Sequence, residues 1–221
     1  MTLRFIYLAD PMCSWCWGFV PNLERLQAAY PDIPVRLVMG GLYPGLDKPM
    51  KQHTKDEVKK HWEHVNHATG QPFDHRFFER EGFVYNTEPS SRALVAAKQL
   101  GGTGVGLPFL ERLQGAFYRD NRDVTDRDVL IEIGVEHGFD RAAFAEALDS
   151  EQASQMTQRD FGFARQLGVH GFPTLLGYDD ERYRLLSMGY QEWDWLERVI
   201  DRWITKAKAA AAAAPADQTV H

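Results

Sequence analysis

The sequence predicts an α/β fold assembled from two small units, βαβ and ββα, with an all-helical insertion between them. Three observations predict it. Apolar runs rich in β-branched and aromatic residues occur near both ends: residues 3–9, a stretch from Val35, and later "FPTLLGY" and "RYRLLSMGY". Residues 54–167 contain no strand-like run and carry helical periodicity instead. A helical pattern follows the first apolar run and another follows the last.

Leu3 to Ala9 reads as a short buried strand ending at Asp10-Pro11. Leu23, Leu26 and Tyr30 recur at helical spacing until Pro31 stops them. "VRLVMGG", from Val35, is a second strand closing in a Gly pair. Strand, helix, strand is a βαβ unit, which forces a parallel pair with a right-handed crossover. In the middle, Thr54 with Glu57 forms a capping box ahead of Val58, Trp62 and Val65, and Gly70 ends that helix. "SSRALVAAKQLGG" gives a second helix with serine caps and a glycine exit. Pro108 suits the first turn of a third, carrying Phe109, Leu110, Leu113 and Phe117. Thr125 with Asp128 opens a fourth that ends near Gly138, and Asp140 or Ser150 opens the remainder before Leu167-Gly168. "DDE" reads as a hairpin turn, and a last helix presents Leu196, Val199, Ile200 and Trp203 on one face. The expected organisation is one discontinuous α/β domain (1–50 and 168–208), a helical insertion (51–167) and a low-complexity, disordered tail (209–221) whose alanines extend the last helix. A βαβ half joined to a ββα half is the minimal thioredoxin-like layout.

A chain of 221 residues suffices for one domain carrying an insertion. Its net charge of −6 argues against nucleic acid or anionic membrane as the main partner, because neither attracts an acidic surface. No apolar run approaches the roughly 18 to 20 residues a membrane helix needs. "MTLRFIYLAD" has no charged leader region and no small-residue cleavage site, so the expected location is the cytoplasm. Structural disulfides are rare there, so Cys13 and Cys16, the two cysteines of the chain, read as reactive or metal-bound.

Position favours reactivity. Cys13 falls at the end of the first strand and the start of the following helix, where unpaired N–H groups and the helix dipole favour a thiolate. Cys16, one turn further in, should be more buried and protonated, and within reach to resolve a mixed disulfide. The alternatives are a zinc half-site completed by histidines, a small-loop structural disulfide, or two inert thiols. A dithiol placed after the first strand of a βαβ unit favours redox chemistry over these. "GVHGFPT" sets Pro173 at the start of a strand beside the first one, as a cis bond or as an ordinary trans proline ending a loop. His53, His61, His64, His67 and His75 surround one helix; His61 and His67 lie about 9 Å apart in helix rise, too far for one ion, so a solvated face is expected and no metal.

Cys13-Ser14-Trp15-Cys16, the distant Gly171-Phe172-Pro173-Thr174 and the helices between them resemble the DsbA family of thioredoxin-fold oxidoreductases, most of all its cytosolic, protein-disulfide-isomerase-like branch. The resemblance covers about residues 3 to 206. It implies Cys13 as attacking thiol, Cys16 as resolving thiol and Pro173 as the cis-proline of a peptide-binding groove, with Trp15, Trp17, Phe172 and Thr174 as candidate substrate contacts. It implies protein or peptide thiols and disulfides as partners, no required cofactor, and glutathione as a candidate reductant. Phe172 is bulkier than the Val, Thr or Ile common at that position in relatives, and the sequence places no acidic residue beneath Cys16 as a proton acceptor, although Glu24 lies on the right helix. "YNTEPSSRALVAA" is similar to kappa-class glutathione transferases and 2-hydroxychromene-2-carboxylate isomerases, which implies an alternative, glutathione-dependent transferase or isomerase, with Asn86 to Arg92 lining a small-thiol site. A redox sensor is the non-enzymatic alternative.

Overall fold

The structure, a computed structural model, describes residues 2–179 and 182–213. Four strands, β1 (Arg4–Ala9), β2 (Val35–Met39), β3 (Thr174–Tyr178) and β4 (Tyr183–Met188), form one sheet in the order β2-β1-β3-β4. β1 runs parallel to β2 and antiparallel to β3, and β3 pairs antiparallel with β4. The parallel pair is bridged by α1 (Ser14–Gly18) and α2 (Val20–Ala29). Between β2 and β3 stand α3 (Gln52–Thr69), α4 (Glu88–Gly101), α5 (Gly106–Tyr118), α6 (Arg127–His137), α7 (Arg141–Asp149) and α8 (Glu151–Gln166), and α9 (Trp193–Ala213) follows β4. This is the thioredoxin-like fold with its βαβ and ββα halves.

β1 is buried on both faces, and its period-two alternation divides the core. Phe5, Tyr7 and Ala9 join the large cluster that runs under α1, α2 and α9 into the helical segment. Ile6 and Leu8 face the other way, with Val38, Leu176 and Ala164 of α8. The outer edge of β2 is closed by side chains: the Lys98 ammonium donates to the Leu37 carbonyl at 3.0 Å, and Asp160 accepts from the Met39 N–H at 3.1 Å. Those are the polar groups an edge strand otherwise leaves unpaired.

Helix boundaries differ from the sequence expectations where long-range contacts outweigh local rules. The helix after the cysteines is broken at Phe19, because Pro21 cannot donate to the Trp17 carbonyl; the Gln71 amide donates to it instead, at 3.2 Å. α3 begins at Gln52 with Lys51 as its cap, so Thr54 and Glu57 lie inside it and form no capping box. Its entry is set by the Met50 N–H donating to the Phe83 carbonyl at 2.9 Å. α4 is entered through Thr87, which leaves Ser90 and Ser91 buried within the helix rather than capping it. Asp126, not Thr125, caps α6, because Thr125 turns to bond Asp123. Asp140 and Ser150 cap α7 and α8. The alanine run continues α9 to Ala213, past the 209 boundary expected for the tail. The expected disordered tail from 214 onward and the Asp180-Glu181 part of the hairpin turn lie outside the described residues.

Candidate active site

Cys13 is the N-cap of α1, in extended conformation, and its carbonyl accepts from the N–H groups of Cys16 and Trp17. Its sulfur does not cap the helix and points instead to the loop before β3, where the thiol donates to the Phe172 carbonyl at 3.4 Å. The Phe172–Pro173 peptide bond is cis. The loop is held on both sides: the Gly189 N–H donates to the Pro173 carbonyl at 2.7 Å, and the Thr174 hydroxyl donates to the Gly171 carbonyl at 2.7 Å. A Cβ on Gly40 would sit 2.1 Å from the Phe172 ring, so the glycine closing β2 is what admits this bulky side chain.

A cavity of about 710 Å³ opens beside Cys13. One wall carries Met12, Cys13, Trp15 and Phe172; α3 and its approach supply Lys48, Lys51, His53 and His61; Trp62 and Tyr85 line it too. Trp15 is half-buried and lies 5.7 Å from the Tyr190 ring. Trp17 is not in the cavity. Its ring stacks on Tyr118 and its indole N–H donates to the Pro72 carbonyl at 3.0 Å, so it packs α1 against the helical segment. Thr174 is fully buried at the start of β3 and supports the loop without lining the cavity.

Cys16 is fully buried on the inner side of the same turn. Burial first, and the adjacent Cys13 next, push its thiol well above the usual cysteine range, while the Asp10 main-chain N–H acts against them. Glu24 is exposed on α2 and away from this point. The nearby acid is Asp10, the residue that follows the last residue of β1. Fully buried, it accepts from the Met12 N–H at 2.9 Å and the Leu42 N–H at 2.7 Å. Burial pushes its carboxyl up to about 6, against the pull of those donors and of Thr87. Its sequence signal is the spacing Asp-Pro-x-Cys: a carboxylate at a strand end can turn back to hold the N–H groups of the next turn.

Asn86 to Arg92 do not line the cavity. Asn86 accepts from the Gly45 N–H, and Arg92 pairs with Glu88 and donates to the Leu148 carbonyl. The five histidines around α3 are exposed, and among the described residues no group of three or more His, Cys, Asp or Glu side chains is placed to hold a metal ion. Also among them, no helix is long and apolar enough to cross a membrane.

A thioredoxin family model matches residues 5–198. A candidate protein disulfide isomerase from Nitrosomonas europaea superposes with a TM-score of 0.87 at 31% identity, covering 93% of this chain and 99% of that one. The cytosolic disulfide reductase DsbM from Pseudomonas aeruginosa superposes with a TM-score of 0.75 at 30% identity, covering 91% and 99%, and has also been solved with GSH. The ClpXP adapter protein SpxH of Bacillus subtilis is 26% identical over 181 residues, 81% of this chain but 59% of that protein. The chain thus spans under two thirds of the length of this curated relative. With a family model spanning most of its length, the chain belongs to the thioredoxin family.

Proposed function

We propose that the chain is a cytoplasmic thiol–disulfide oxidoreductase acting on peptide or small-molecule disulfides, with Cys13 as nucleophile and Cys16 as resolving thiol. The observation that carries this reading is the Cys13 sulfur held 3.4 Å from the Phe172 carbonyl, at the wall of a substrate-sized cavity, with Cys16 buried one turn behind it. Cys13 thiolate attacks a substrate disulfide, forming a mixed disulfide and releasing one substrate thiolate. Cys16 then attacks the Cys13 sulfur; the Cys13–Cys16 bond forms, the second substrate thiol leaves, and two electrons have passed to the substrate. Run backwards, the cycle oxidises; halted at the mixed disulfide, with a substrate thiol attacking instead, it isomerises.

The 172–174 segment aligns an extended substrate backbone, while Trp15 and Phe172 contact its side chains. The chemistry requires no metal or organic cofactor. Glutathione is the proposed reductant: DsbM has been solved with GSH, and Lys48 and Lys51 beside the cavity suit carboxylates. The test is the reduction potential of the dithiol, read by Trp fluorescence in glutathione buffers. A value near about −270 mV makes it a reductase, and one between about −180 and −120 mV an isomerase or oxidant. Absence of any reversible two-electron couple overturns the proposal.

A second reading, an adapter that binds protein partners, draws on the similarity to SpxH. Partner capture that survives loss of both thiols would favour it over the enzyme.

A further inference from the structure

Cys16 must become an anion before it can attack, and its surroundings are dry. A thiolate in such a place needs hydrogen-bond donors. The Asp10 main-chain N–H is one. Tyr7 supplies a second. It stands in the middle of β1, paired in register with Leu37 and Leu175, and is fully buried. Its ring stacks on Phe19, with centroids 5.6 Å apart and planes 13° from parallel. Phe19 directly follows the short helix that carries Cys16, and Tyr7, Cys16 and Phe19 belong to one buried cluster, so the stack sets Tyr7 against the turn that holds Cys16. After burial, Cys16 is the group that most opposes ionisation of Tyr7, ahead of Cys13, and the Cys16 sulfur is placed to accept from it. The hydroxyl makes no hydrogen bond in this structure and has no access to water. An unpaired buried hydroxyl is destabilising, and phenylalanine would fill the same space without it.

We propose that Tyr7 donates a hydrogen bond from its hydroxyl to the Cys16 thiolate as the mixed disulfide is resolved. The inference rests on the dithiol reading above. In the step itself Cys16 loses its proton, its sulfur bonds to the Cys13 sulfur, and the bond from Cys13 to the substrate sulfur breaks. The proton ends on the departing thiolate or, when an aromatic thiol leaves, in the buffer; Tyr7 keeps its own. The other groups facing Cys16 are Asp10, Cys13 and Tyr118 of α5. The Tyr118 hydroxyl is also unpaired, but its strongest electrostatic neighbour is Tyr85 rather than a cysteine. That makes it the control.

The experiment mixes reduced protein with an aromatic disulfide whose thiolate is coloured, in stopped flow. Attack by Cys13 releases one thiolate and resolution by Cys16 releases the second. Tyr7→Phe should leave the first phase intact, slow the second by about tenfold to a hundredfold, and move its pH profile upward. Tyr118→Phe should leave both phases as they were. An unchanged second phase in Tyr7→Phe overturns the inference, as does equal slowing of both phases or equal slowing by Tyr118→Phe. If the unsubstituted chain gives no first phase, the dithiol reading itself fails and takes the inference with it. A measurement that leaves Tyr7 in place is independent of whether Tyr7→Phe folds. In Cys13→Ser protein, the Tyr7 ring-carbon resonance beside the hydroxyl should shift as Cys16 titrates, and a resonance that stays still overturns the proposal.

Discussion

Cys13 ends an extended segment, whereas Cys16 lies inside the turn that follows, and this short step separates two environments. Cys13 borders a cavity, and its thiol donates to the Phe172 carbonyl. Cys16 does not line that cavity and is fully buried, as are Tyr7 of β1 and Asp10 just after it. An N-cap residue stands outside the helix barrel, so its side chain can turn toward a neighbouring loop. A residue one position-set further in is committed to the face on which the helix packs. The same side chain thus receives access at one position and enclosure at the other, and burial holds the enclosed thiol protonated. The different environments of two identical residues thus come from where the strand ends relative to the first helical turn.

The largest effect expected is the loss of one member of the pair. Cys13→Ser should abolish disulfide exchange. Cys16→Ser should still attack but accumulate a mixed disulfide, visible by mass spectrometry of acid-quenched protein. Full turnover by Cys13→Ser would remove the asymmetry altogether.

Asp10 offers the next largest test, because it belongs to the enclosed side. Its carboxyl titrates near 6 in the fold against an ordinary value of 3.8. Between those values the folded chain keeps a proton that the unfolded chain has released, so stability falls as pH rises from about 4 to about 6, by about 3 kcal/mol. Asp10→Asn should lose that fall. Urea unfolding at pH 4 and pH 7 on both proteins checks it, and identical pH dependence in the two would show that Asp10 is not the group responsible.

Much of this contrast could be read in the sequence. The strand before the cysteines, the βαβ unit and the Pro173 segment are local signals, written in runs of neighbouring residues. What could not be read depends on distant partners. Tyr7 is one apolar residue among several in "FIYLA" until Phe19 is placed against it. Gly40 looks like an ordinary strand end until Phe172, far along the chain, fills the space where its side chain would be. The Thr54 capping box follows a sound local rule and fails because Met50 is already fastened to Phe83. Gly40→Ala turns this point into a prediction. It should push the Phe172 ring away from its place, destabilise by about 1 to 3 kcal/mol and weaken exchange at Cys13. Phe172→Val in the same protein should restore stability, since the smaller side chain clears the new methyl. A double variant no more stable than Gly40→Ala alone would mean that the strain lies elsewhere.

The smallest effect concerns what holds the turn at its far end. Pro21 leaves the Trp17 carbonyl without its helical partner, and Gln71, from the segment after α3, donates to it. Trp17 in turn donates to Pro72, so two adjacent residues fasten α1 to the helical segment. Gln71→Ala removes one part-buried hydrogen bond, so the expected loss is about 1 kcal/mol. The position of that loss matters more than its size. Cys13 is held at the opposite end of the turn by the Phe172 loop, which Gln71 does not touch. Its attack on a disulfide should therefore keep its rate while the unfolding midpoint drops. A parallel fall in both would mean that the two ends of α1 are coupled, and that Cys13 owes its position to the helical segment as much as to the loop before β3.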